Sequence, residues 1–125
     1  MDENQSVKLL RSFEAAWNAH DCEALLAHVT EDCIFDSSAG PTAFGARHLG
    51  RPMLAKAFAA IWEVLPDARW EDATHVACGD RGFSEWTFRG TRADGVAVEA
   101  RGVDLFRFRG NLICHKDTFR KTIIA

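Results

Sequence analysis

The stretch Val96-Ala97-Val98-Glu99-Ala100-Arg101-Gly102-Val103-Asp104-Leu105-Phe106-Arg107-Phe108 decides how the rest of the chain is read. One alternate set, Val96, Val98, Ala100, Gly102, Asp104, Phe106 and Phe108, is apolar but for its aspartate. The other set carries Glu99, Arg101 and Arg107, and Arg109 continues it. Side chains on a strand alternate between its faces, so this pattern predicts a long half-buried strand over about 96–109. Asp104 then points the same way as the apolar stripe. A carboxylate in such surroundings either finds a partner or takes up a proton, because burial penalises its charged form. That makes Asp104 a candidate acid or hydrogen-bond donor in an apolar pocket. The alternative is a structural aspartate held by an arginine or by backbone N–H groups.

Working outward, the same alternation predicts strands over about 68–78, 83–92 and 112–122. Gly79-Asp80-Arg81-Gly82, Ala93-Asp94-Gly95 and Gly110-Asn111 separate them, and these are hairpin signals. The N-terminal half is helical in pattern. Leu10, Phe13, Ala16 and Trp17 recur at helical spacing between about Asn4 and Ala19, with Lys8, Arg11, Ser12 and Glu14 assigned mostly to the solvent face. Asp21 caps a short second helix to about Ala27, whose buried stripe is Cys22, Leu25, Leu26 and Val29. A short extended piece, Cys33-Ile34-Phe35-Asp36, leads into a loop over 37–50 rich in Gly, Ser and Pro. Arg51-Pro52 opens a third helix, on which Leu54, Ala57, Phe58, Ile61, Trp62 and Leu65 repeat at three-four spacing. Three helices followed by an antiparallel meander predict one α+β domain spanning 1–125.

Composition narrows the function classes. At 125 residues and 47% apolar, the chain can bury a sizeable core. No apolar run approaches a membrane span, and the acidic start Met1-Asp2-Glu3-Asn4-Gln5 is unlike a signal peptide, so a cytoplasmic location is expected. Cys22, Cys33, Cys78 and Cys114 lack metal or redox spacing and read as free thiols. The net charge of −3 is uneven: residues 1–36 hold eight acids and two bases, while 101–121 hold six bases and two acids. Those bases interleave with apolar residues as a solvated strand face does, which argues against nucleic acid as a partner. No two histidines stand at metal spacing beside a carboxylate, so neither metal nor cofactor is expected.

Certain residues, taken in order, carry a resemblance. They are Ala16-Trp17-Asn18-Ala19-His20-Asp21, Glu31-Asp32-Cys33-Ile34-Phe35, Gly79-Asp80-Arg81 ahead of Trp86-Thr87-Phe88-Arg89-Gly90-Thr91, then Arg101 to Phe108, and His115-Lys116-Asp117-Thr118-Phe119. Over essentially its whole length the chain resembles the cone-shaped α+β barrels of ketosteroid isomerases, SnoaL-like polyketide cyclases and nuclear transport factor 2. The resemblance implies three N-terminal helices packed on a curved, mostly antiparallel sheet around an apolar pocket. Asp104 matches the isomerases' oxyanion-hole aspartic acid. Their tyrosine falls at Phe13 and their carboxylate base at Ser37, so steroid isomerisation itself is not expected; Asp36 lies one place off and points the other way unless a bulge re-aims it. Asp117 matches the acid/base aspartate of the SnoaL-like cyclases. It also matches the final-strand aspartate of limonene-epoxide hydrolases, whose Arg-x-Asp is replaced here by Glu85-Trp86-Thr87.

Strict alternation places Ile113, His115, Asp117 and Phe119 on one face, the pocket face in those relatives. His115 and Asp117 then form a carboxylate-oriented imidazole suited to general-base work. Their rival reading is a surface pair beside a solvated Lys116. Phe13, Trp17, Ser37, Phe58, Ser84, Trp86, Phe88, Phe106 and Phe119 are expected to line the pocket. Two functions follow. One is a cofactor-independent acid/base enzyme of isomerase, cyclase or hydratase/hydrolase type, acting on a small hydrophobic carbonyl compound through Asp104, Asp117 and His115. The other is a non-catalytic ligand-binding or protein-interaction module of the same fold. The half-apolar outer face carrying Val103 and Leu105 leads to an expected homodimer through that face.

Overall fold

The computed structural model describes residues 1–124. The chain runs α1 (Glu3–Asn18), α2 (Cys22–Ala27), β1 (Val29–Asp36), β2 (Arg47–Leu49), α3 (Arg51–Val64), β3 (Arg69–Cys78), β4 (Arg81–Thr91), β5 (Ala97–Arg109) and β6 (Leu112–Arg120). The strands form one six-stranded sheet in the order β2-β1-β6-β5-β4-β3. All neighbours are antiparallel except β1 and β6, which run parallel. This is the expected α+β arrangement of helices on a mostly antiparallel sheet. No helix among the described residues is long and apolar enough to cross a membrane.

Local chemistry accounts for the helices. The Asp2 side chain accepts from the Gln5 backbone at 2.8 Å, and the Gln5 side chain accepts from the Asp2 backbone at 2.9 Å, a reciprocal cap that starts α1. At the other end of α1, Asn18 imitates a strand partner: Nδ2 donates to the Trp70 carbonyl and Oδ1 accepts the Trp70 N–H, at 2.9 and 2.8 Å. That pair ties α1 to β3. Asp21 caps α2 through the Ala24 N–H. Leu10, Phe13 and Trp17 from α1 meet Leu54 and Phe58 from α3 over the sheet's inner face, where edge-on contacts such as Trp17–Phe58, 4.7 Å between ring centres, fill the core.

Three departures from simple alternation matter. The loop expected over 37–50 ends in β2, whose three residues pair with Ile34–Asp36 and are too few to show a period. The turn after β3 is only Gly79-Asp80, because Cys78 already pairs with Arg81. Gly79 takes φ +59°, which suits glycine in so tight a turn. The third departure is in β6. Arg107 of β5 faces His115, yet Phe108 faces Ile113, so Cys114 is an extra residue bulged out of the ladder. One inserted residue reverses the facing of every side chain after it.

Candidate functional site

Four side chains form a polar row across the inner face. His75 on β3, Ser84 on β4, Asp104 on β5 and Thr118 on β6 are successive cross-strand partners. Asp104 points inward and is 6% exposed. It accepts hydrogen bonds from the Trp86 indole N–H at 3.0 Å, the Lys116 ammonium at 3.0 Å and the Thr118 hydroxyl at 2.5 Å. Lys116 is buried as well, donates to Thr118 at 2.7 Å, and lies 4.5 Å over the Phe35 ring. Gly102 makes room for the Trp86 bond: a Cβ there would stand 2.4 Å from the indole ring.

Two sequence expectations are corrected here. With three donors converging on it, Asp104 is an ion-paired acceptor rather than a neutral donor. Lys116 is not a solvated flank but the buried counter-ion, because the Cys114 bulge turns it inward. The same bulge turns His115 and Asp117 to the outer face, opposite Asp104, so the expected single pocket holding all three does not form. Asp117 pairs in the ladder with Leu105, one place from the Asp104–Thr118 pair.

The residue that joins Asp104 instead is Glu14. It reaches from α1 into a small cavity of about 10 Å³, walled by Leu10, Phe13, Trp70 and Phe106 together with Ser84, Trp86 and Asp104. Its Oε2 is buried without a hydrogen-bond partner, and its Oε1 lies 4.0 Å from His75 Nε2. Burial first, and the Asp104 charge second, push the Glu14 carboxyl up to about 7. His75 Nδ1 is 2.7 Å from the Ser84 hydroxyl, and burial with the nearby Arg11 charge holds this imidazole below its ordinary value. Its charge places Glu14 on the solvent face in a reading by residue type, yet it stands four residues after Leu10 and three before Trp17, on the buried stripe.

Of the other expected pocket residues, Phe13, Ser84, Trp86 and Phe106 line this cavity. Trp17, Phe58 and Phe88 are core packing beyond it; Phe88 stands 5.1 Å from Trp70, ring to ring. Ser37 closes its own loop through the Ala39 and Ala46 carbonyls, at 3.0 and 3.3 Å. Phe119 is 52% exposed, opposite Val103.

On the outer face, His115 is still a carboxylate-oriented imidazole, but its partner is Asp36 of β1. Nε2 stands 2.8 Å from Asp36 Oδ2. Arg47 grips both oxygens of Asp36 at 2.8 and 2.9 Å, and with His115 it holds that buried carboxyl below the usual range. Asp117 is raised, by burial and then by Asp36. Ligating atoms of Asp36, His115 and Asp117 lie within 4.8 Å of one another. With Arg47 already neutralising Asp36, the group fits a fixed imidazole better than a metal centre.

Comparison with known proteins agrees with this architecture. A protein from Xanthomonas campestris, provisionally named a polyketide cyclase, superposes with a TM-score of 0.84 at 22% identity, over 94% of this chain and 90% of its own. A nuclear transport factor 2-like protein of unknown function from Mesorhizobium loti gives 0.78 at 28% identity, over 96% and 93%. A Catenulispora acidiphila protein with a ketosteroid isomerase-like fold, crystallised with trimethylamine, gives 0.79 at 19% identity, over 89% and 83%. No curated protein matches the chain. The SnoaL-like domain family model matches residues 10–116, most of the sequence, and the chain belongs to the SnoaL-like family.

Proposed function

We propose that this protein is a cofactor-independent acid/base catalyst of isomerase, cyclase or hydratase type for a small hydrophobic carbonyl compound, with Glu14 carrying the proton. The observation behind this reading is a carboxyl pushed to about 7, one oxygen unpartnered, at a cavity walled by five aromatic and aliphatic side chains with Ser84 and Asp104 beside them. A group titrating near working pH populates both its forms, so it can take a proton beside a carbonyl and return it. Asp104 acts as a positioning residue: its charge raises Glu14, while Lys116, Thr118 and Trp86 hold it still. If His75 Nδ1 carries its proton, it donates to Ser84, whose own O–H is then free to meet a substrate oxygen.

At about 10 Å³ the cavity has room for one water, so a substrate enters only as wall side chains move aside. That tight interior favours the second reading, a non-catalytic binding module. The two readings separate by α-proton exchange in heavy water across a panel of small hydrophobic ketones, followed by NMR. A Glu14-dependent catalyst exchanges at least one of them, and Glu14→Gln slows it about 100-fold or more. Equal exchange by parent and variant removes Glu14 from the role, and no exchange across the panel favours the binder.

A further inference from the structure

Two carboxylates share the inner cavity. Glu14 and Asp104 line it together with four aromatic rings, those of Phe13, Trp70, Trp86 and Phe106. Asp104 Oδ1 accepts from Lys116 and Thr118, while Oδ2 accepts only from the Trp86 indole and keeps a lone pair. Glu14 Oε2 is buried with no donor among the described residues. The charged groups around Glu14 leave that oxygen uncompensated. Asp104 on β5 repels its ionised form, and Lys116 on β6 bonds Asp104, not Glu14. Arg11, one turn earlier on α1, is exposed, and His75 on β3 is held below its ordinary value by burial and by Arg11. An acceptor without a donor, a second carboxylate beside it and aromatic rings around both are the surroundings that attract a small cation.

We propose that the inner site takes a small hydrophobic primary amine, its ammonium head set between Glu14 Oε2 and Asp104 Oδ2 against the aromatic wall. This rests on the reading of that cavity as the working site, and it narrows the substrate to a carbonyl compound that also carries an amino group. At about 10 Å³ the cavity accepts one water-sized group. A primary ammonium is of that size and brings three donors, whereas a trimethylammonium head is too large. The alkyl stem has a way out past Glu14, whose side chain is 24% exposed. The bound head supplies the donor that Oε2 lacks and offsets the Asp104 charge, so it favours the ionised form of Glu14. In an α-amino ketone, the carbon between nitrogen and carbonyl then lies next to a carboxylate in its basic form.

Calorimetry with n-butylamine, and with 1-butanol as its uncharged counterpart, tests this at pH 7 in buffers of different ionisation heat. Butylamine binds at least tenfold more tightly than butanol. With a folded value of about 7, Glu14 is half protonated at this pH, so binding releases about half a proton. Glu14→Gln weakens butylamine at least tenfold and abolishes the release, while a thermal melt shows that the variant is folded. Equal affinity for amine and alcohol, binding without proton release, or undiminished binding by the variant overturns the proposal. So does a trimethylbutylammonium ion that binds as well as butylamine. Glu14-dependent exchange of ketone α-protons that butylamine fails to inhibit also overturns it, and leaves the catalytic reading standing. Butylamine bound with proton release, by a protein that exchanges no ketone, upholds the amine site and removes the catalyst.

Discussion

Asp104 and Lys116 show how one residue's surroundings set its task. Each is buried, and each removes the other's unpaired charge. Breaking a buried pair by removing one partner strands the other, typically at 3–5 kcal/mol, whereas replacing both with neutral groups is far milder. Asp104→Asn is therefore expected to destabilise the fold by about 3 kcal/mol, read by urea denaturation. Adding Lys116→Met should restore a large part of that loss; a double variant as unstable as the single one would contradict the pairing. Asp104→Asn also removes one of the two causes that raise Glu14, so the Glu14 carboxyl should titrate lower, followed by carbon NMR of the side chain.

At the scale of elements, the bulge in β6 does most to define the sites. Were Cys114 an ordinary ladder residue and not a bulge, alternation would carry His115 and Asp117 inward and put Lys116 on the outside, as strict period-2 reading of the sequence predicts. The observed phase instead gives Asp104 its counter-ion and gives Asp36 its imidazole. Because Cys114 is the extra residue, deleting it leaves His115 and Asp117 outward and Lys116 inward, and is expected to cost no more than about 3 kcal/mol with cooperative unfolding kept. Loss of cooperative unfolding in denaturant would show that β6 needs the bulge itself and not only the facing it sets. β1 is the second such element. Its parallel pairing with β6 sets Ile34 opposite His115 and Asp36 opposite Asp117, joining residues 79 positions apart in a single hydrogen bond.

For the whole molecule, the raised Glu14 carboxyl links stability to pH. Its folded value of about 7 lies above its ordinary 4.5, so between those values the folded chain binds more protons than the unfolded one. The contribution is fully present below about 4.5 and is lost as pH rises through about 7. After allowance for solvent screening it is on the order of 1–2 kcal/mol. Glu14→Gln, which stays neutral, should accordingly be more stable than the parent by that amount at pH 8 and nearly equal to it at pH 4.5. Chemical denaturation at the two pH values measures the difference, and a constant gap would mean that Glu14 titrates normally. A variant stabilised at pH 8 yet inactive in proton exchange would mark the strain at Glu14 as part of the site.

What the sequence determined by itself is what short-range periodicity and turn chemistry carry. The three helical stripes, the four long strands, the Asp-Gly and Gly-Asn hairpins and the inward aspartate on β5 each follow from residues within a few positions of one another. Glu14 was also legible by its spacing from Leu10 and Trp17, but its charge outweighed its position. The tertiary structure alone decided the rest. A bulge leaves no local mark, because Cys114 looks like any strand residue until β5 sets the register on one side and β1 on the other. The Asp36–His115 contact and the Asp104–Lys116 pair exist only once that register is set. Which acids and bases meet was therefore settled by long-range strand pairing, where one residue of slip exchanges the two faces of a sheet.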